Sequence, residues 1–300
     1  MPARFTAYPP DRAAIVKVID EGSIYRIGRA DDCELRIDHP SISRFHAEIT
    51  AAAADAIDWK LHDTGSKNGL RVGGHLTLKA NFNESSWFAI GDVYCWLEVI
   101  DETSAITFRA MNDRRRATSL EMSARFSNSL DIGTLIPQTL DVVLELSGLE
   151  RGFVLFAPAG EPLRIRASRG MAPHDISKAS FSGSASAVDQ AIARKVPVVC
   201  CDTNDSPWLG LRPSVRLGGI RSLVCVPLQL ANGATGVIYV DSRKPGPPVT
   251  ELDLELIETV AQHAATIVAV GHLQNEVGDL IRSSQHIDDV APRWDQLRSL

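Results

Sequence analysis

No stretch of this chain approaches the roughly 20 consecutive apolar residues of a membrane-spanning helix. Met1 to Pro10 also lacks the apolar core of a secretory leader. Both absences point to a cytoplasmic protein that does not engage a membrane. Positive charge is not in excess either: 31 Lys and Arg stand against 37 Asp and Glu, a net −6. No sequence-wide basic field is therefore available for nucleic acid, and any anion site has to be local. The five cysteines (Cys33, Cys95, Cys200, Cys201 and Cys225) form no Cys-x-x-Cys and no zinc spacing, so they read as reduced, mostly buried thiols and imply no metal. Gly-x-x-x-x-Gly-Lys-Ser/Thr is missing, as is a complete kinase or phosphatase motif. No residue is assigned a catalytic role, and the chain reads as a non-enzyme.

What is present is enough apolar sequence, 44% of 300 residues, for two cores. From Ala13 to Ile100 it comes in short strand-like runs about ten residues apart, among them Ile24–Ile27, His46–Ile49, Trp59–Leu61 and Val93–Ile100, which predicts an all-β sandwich. The texture stops at Asp101, and Asp113-Arg114-Arg115-Arg116 marks a linker over 103–117. Beyond it Leu120, Ala124, Ser127 and Leu130, then Ile136, Leu140, Val143 and Leu146, recur at helical spacing. Strand runs follow at 152–156, 163–167, 196–200, 223–228 and 236–240, with a helix at 185–194, so the second domain is α+β and spans 118–272. Thr250, with Asp253 three residues on, starts a last helix whose apolar stripe continues through Leu273, Val277 and Leu280. The helical extension 273–300 suggests a coiled-coil homodimer; a single helix packed on its own sheet is the plainer alternative.

Three clusters in the first domain, residues 1–102, carry chemistry: Gly28-Arg29, Ser43-Arg44-Phe45-His46 and Ser66-Lys67-Asn68-Gly69. Each lies where a strand run meets a turn, where sandwiches place binding residues. An Arg fork, a serine hydroxyl and further cations at Arg44 and Lys67 suit capture of a dianion. Asn68 donates and accepts at once, as pairing with a peptide backbone requires. Taken with Leu35–Asp38, Asp63-Thr64-Gly65 and Ala89-Ile90-Gly91-Asp92, these clusters resemble a forkhead-associated (FHA) domain, a sandwich that binds phosphothreonine. The resemblance implies that Arg29 and Ser43 hold the phosphate, that Arg44 and Lys67 flank it, and that Asn68 bonds the peptide main chain. Gly28, His46, Ser66 and Gly69 would shape the pocket. The chain departs from the family at Leu70, where threonine is usual, and at Lys67, where threonine or serine is common.

Residues 118–272 resemble a GAF domain, through Gly152–Phe156, Ala193–Val198, Ser222–Leu228 and Gly236–Asp241. The resemblance implies a pocket on one sheet face that holds an unidentified small molecule or stands empty. The Asn-Lys-Phe-Asp-Glu signature of cyclic-nucleotide binders is absent, His174 reads as a loop histidine, and Ser182–Ser186 reads as a helix cap. Together the two resemblances describe a cytoplasmic signalling adaptor whose partner is a threonine-phosphorylated protein, substrate or kinase. The alternative is the sensory N-terminal half of a larger regulator.

Overall fold

The computed structural model describes every residue except 52–57, 127–131, 172–183, 205, 207–208, 210–211, 231–233 and 289–300. Among the described residues of the first domain eleven strands form two facing sheets. One has the order β2 (Ile15–Ile19), β1 (Ala3–Tyr8), β11 (Val93–Val99), β10 (Ser86–Ile90), β7 (Leu70–Val72), β8 (His75–Thr77). The other runs β4 (Leu35–Arg36), β3 (Ile24–Gly28), β5 (Ala47–Ala51), β6 (Trp59–Asp63), β9 (Lys79–Phe82). All pairs are antiparallel except β3–β4. Period-2 alternation builds the core: Phe5, Ile49, Trp59, Leu61, Phe88 and Leu97 point between the sheets, while Lys60 and His62 point out.

β1 was not among the strand runs read from the sequence, yet it pairs with β11 over six residues at the middle of its sheet. Its inward positions are Ala3, Phe5 and Ala7, two of them too small to stand out as strand formers.

The segment 103–117, expected as a linker, is helical, within α1 (Glu102–Phe126). Asp101 starts the helix, its carboxylate accepting from the Ser104 amide (2.8 Å) and hydroxyl (2.8 Å). Charge holds it in place where no apolar stripe announces it. Arg109 pairs with Asp20 (2.7 Å) in the β2–β3 turn, Arg115 with Asp253 and Arg116 with Glu255 (3.4 Å). The pattern at 120–130 is thus largely the far end of α1; Asn128–Asp131 lie outside the described residues.

The second domain is a five-stranded antiparallel sheet, in the order β13 (Arg164–Arg169), β12 (Arg151–Ala157), β16 (Thr235–Ser242), β15 (Ser222–Leu228), β14 (Val198–Cys200). One face packs on α2 (Ile132–Ser147) and α5 (Glu251–Asp288), burying Leu140, Val143, Ile238, Val240, Ile257 and Val260. The other carries α3 (Ala185–Arg194) and α4 (Pro213–Gly218), the latter not expected from the sequence. Thr250 and Asp253 cap α5 reciprocally: the Thr250 amide donates to the Asp253 carboxylate (2.8 Å), and the Asp253 amide donates to the Thr250 hydroxyl (3.2 Å). At 38 residues α5 is about 57 Å long. No helix among the described residues is long and apolar enough to cross a membrane.

Candidate phosphate-binding site

Three loops of the sandwich meet: the end of β3, the segment before β5 and the β6–β7 connection. Gly28 lets the first two close. A Cβ there would stand 2.1 Å from the Arg44 carbonyl oxygen, so only glycine permits this approach. The Arg29 amide then donates to the Ser43 carbonyl (2.9 Å) and the Ala30 amide to that of Arg44 (3.1 Å).

His46, fully buried, ties the third loop in. Its Nδ1 accepts from the Ser43 amide (3.2 Å), so Nε2 carries the proton and donates to the Gly69 carbonyl (3.2 Å). Burial lowers its pKa, against the opposing pull of the Gly69 bond and the Asp63 charge, which keeps the ring neutral.

The β6–β7 connection is organised by Asp63, a residue quoted in the motif but given no role there. Its Oδ1 accepts from the amides of Gly65 (2.8 Å) and Ser66 (2.7 Å), and its Oδ2 from the Ser66 hydroxyl (2.6 Å). Burial works to raise its pKa, but these bonds outweigh burial and hold the carboxylate below its usual range. Ser66 in turn accepts from the Gly69 amide (2.9 Å), so it stabilises the turn. An Asp closing a strand before Thr-Gly-Ser is the sequence sign of such an Asx turn.

The two remaining loop contacts complete the site. The Lys67 amide donates to the Ser43 hydroxyl (3.0 Å), and the Asn68 side-chain amide donates to the Ser41 carbonyl (2.7 Å). Ser41 is a second organiser without an assigned role in the sequence: its hydroxyl bonds His39 Nδ1 (2.8 Å) and accepts from the Asp92 amide (2.9 Å). Hydrogen bonds thus link Arg29 and Lys67 to Ser43, while Asn68, next to Lys67, reaches Ser41, and Arg44 adjoins Ser43.

Arg4, Arg12, Arg26 and Arg36 in the same domain each have a carboxylate partner, whereas Lys17 and Arg71 bond only backbone carbonyls; what distinguishes this corner is that its unpaired cations lie together. Arg29, Arg44 and Lys67 are exposed, with no carboxylate within 4 Å among the described residues. Arg29 Nε leans on the Ile42 carbonyl (3.4 Å), which orients the guanidinium while leaving most of its donors free. Three uncompensated cations beside a serine hydroxyl match an anion of charge near −2.

A family model described as an FHA domain matches residues 25–91, and one described as a GAF domain matches residues 129–269. The chain contains an FHA domain followed by a GAF domain. Among solved structures, the FHA domain of the CT664 protein from Chlamydia trachomatis is similar at 24% identity, over 33% of this chain and 99% of that one, with a TM-score of 0.28. The Rv1747 FHA-1 domain from Mycobacterium tuberculosis is similar at 20% identity, over 33% and 100%, with a TM-score of 0.27. The GAF domain region of a putative membrane protein from Geobacter sulfurreducens PCA is similar at 20% identity, over 47% and 95%, with a TM-score of 0.39. A comparison with curated proteins returns no match.

In the GAF domain the sheet face under α3 is filled rather than open where it is described. Phe153 and Tyr239 stack at 4.8 Å, and the Tyr239 hydroxyl accepts from the Ser184 amide (3.1 Å). Beside them Arg151 pairs with Asp241 (2.5 Å), both buried. Burial raises the Asp241 pKa in spite of the arginine. Ser184 caps α3, its hydroxyl accepting from the Ala187 amide (3.3 Å), in line with the sequence reading of this segment as a cap. His174 and Ser182 lie outside the described residues. Burial pushes the Cys200 thiol up to about 12 and Cys201 up to about 11, which leaves neither as a ready nucleophile.

Proposed function

We propose that the FHA domain docks this protein on a threonine-phosphorylated partner and that the GAF domain and its C-terminal helix join two copies, making a cytoplasmic signalling adaptor. The observation that carries the reading is the cluster of three exposed cations around Ser43 with no carboxylate within 4 Å among the described residues, in a chain of net charge −6. In it Arg29 and the Ser43 hydroxyl hold the phosphate, and Arg44 and Lys67 balance its second charge. Asn68, anchored through its amide nitrogen, keeps its carbonyl oxygen for a peptide N–H. Neutral His46 keeps Ser43 in place without adding charge. Self-association is assigned to α5, which runs to Asp288, nineteen residues past the matched GAF segment.

The test is binding of the full chain to degenerate peptide libraries carrying phosphothreonine, phosphoserine or unmodified threonine. Selective retention of phosphothreonine peptides, lost in Arg29→Ala with the fold intact, is the expected result. Equal binding of all three libraries, or full affinity in Arg29→Ala, would refute the assignment.

A further inference from the structure

Between β1 and β2 the chain leaves the sandwich and enters the second domain. Ala13, 5% exposed, is buried in the same apolar cluster as Val249 and Ile257 of the GAF domain. The Ala14 amide donates to the Val249 carbonyl (2.8 Å) and the Glu251 amide to the Ala14 carbonyl (2.9 Å), so the first turn of α5 is hydrogen-bonded to the residue that precedes β2. The Cys201 thiol closes the seam, its Sγ 3.4 Å from the Arg12 carbonyl and 3.6 Å from that of Val249. This excursion is stiff: Pro9 and Pro10 have fixed φ, and Asp11 is held at φ 58°, a region costly for a non-glycine residue.

The same segment reaches the phosphate loops. The Arg12 guanidinium pairs with Asp38 (3.0 Å), one residue before His39, which bonds Ser41, whose carbonyl anchors Asn68. Burial raises the pKa of the Glu251 carboxylate at the start of α5, against the opposing charges of Lys17, Arg36 and Arg12 of the sandwich. Beside the seam lies a cleft of about 460 Å³, with Tyr8, Trp87 and Trp96 on one wall and Met111 and Leu252 on the other. Helix α1 also ties the sandwich to α5, through Arg109 on Asp20 and Arg115 on Asp253, but it meets the sandwich at the β2–β3 turn, whereas residues 9–14 touch both α5 and Asp38 beside the phosphate loops.

We propose that residues 9–14 couple the two domains: occupancy of the phosphate site shifts the docking of α5, and the docking of α5 tunes affinity at the phosphate site. The phosphopeptide half of this statement rests on the function proposed above. Linkage makes the effect reciprocal, so it is readable from either end. It gives a docked phosphoprotein a physical route to the long helix through which the second domain would act.

The experiment is hydrogen exchange by mass spectrometry on the full chain, comparing wild type, Ala14→Pro and Arg12→Ala. Without any peptide, Ala14→Pro, which deletes the amide bonded to Val249, speeds exchange over 38–46 and 64–70 by about fivefold or more. Arg12→Ala, which breaks only an exposed ion pair, speeds it by about two- to fivefold. With a bound phosphothreonine peptide, wild type gains protection at 249–255 as well as at the phosphate loops, and in the variants only the loops respond. Unchanged exchange over 38–46 in the folded variants overturns the coupling. Should Ala14→Pro fail to fold, Arg12→Ala and Cys201→Ala decide by the same readout. Failure of any phosphopeptide to bind wild type refutes the phosphothreonine reading alone, because the peptide-free comparison still tests the coupling.

Discussion

Replacing His46 with alanine separates the framework of the phosphate site from its cations. The imidazole is fully buried, and its removal orphans the Ser43 amide, whereas the Gly69 carbonyl keeps a second donor in the Gly91 amide (3.1 Å). One orphaned donor and the cavity left by the ring cost about 2–5 kcal/mol together, a large share of a small domain's stability. The apparent melting temperature of the first domain should fall by at least about 8 °C. Exchange of the β5 and β6 amides reads this domain separately from its neighbour. The effect also has a pH signature. Because burial depresses the folded pKa of His46 below its usual 6.5, the unfolded chain binds the extra proton first. Wild type therefore has its full His46 contribution above about pH 6.5 and loses up to about 1.4 kcal/mol per pH unit as pH falls from there toward the folded pKa. His46→Ala lacks that slope, so the gap between the two proteins narrows below pH 6.5. A variant within about 0.5 kcal/mol of wild type at pH 7.5, or a gap that ignores pH, would refute the neutral-bridge assignment.

Gly28→Ala should destabilise the sandwich by about 1–3 kcal/mol or more, since the new Cβ meets a backbone oxygen that cannot rotate away, and phosphopeptide affinity should drop with it; exchange at β3 and a peptide titration check both. Arg151→Ala leaves Asp241 buried without its cation and should cost the GAF domain about 3–5 kcal/mol, measured by amide exchange in β12 and β16. Ser184→Ala removes one cap bond from α3 and should cost about 1 kcal/mol by the same measurement over 185–194.

The legible part of this protein is local. The α3 boundaries, the Thr250–Asp253 cap and most strands were readable because propensity, period and capping act within a few residues. The same locality hid β1, whose strand character comes from its partners β2 and β11, and it hid α1, whose arginines become helix-fixing only when Asp20, Asp253 and Glu255 are brought to them. The site divides likewise. Arg29, Ser43, Arg44, Lys67 and Asn68 were recognisable by residue type and motif, since donors and cations at strand ends announce anion chemistry.

Asp63 and Ser41 drew no role from the sequence, because an aspartate that organises a turn and a serine that receives an amide from fifty-one residues away look like any others in a linear chain. By itself, then, the sequence determined the order of two domains and the chemistry available at one corner of the first. Tertiary structure alone decided that three loops close on His46, that three cations gather there with no carboxylate beside them among the described residues, and that Ala13 and Ala14 belong to the seam with the second domain. Those facts depend on distances between residues far apart in the chain, which no local propensity encodes.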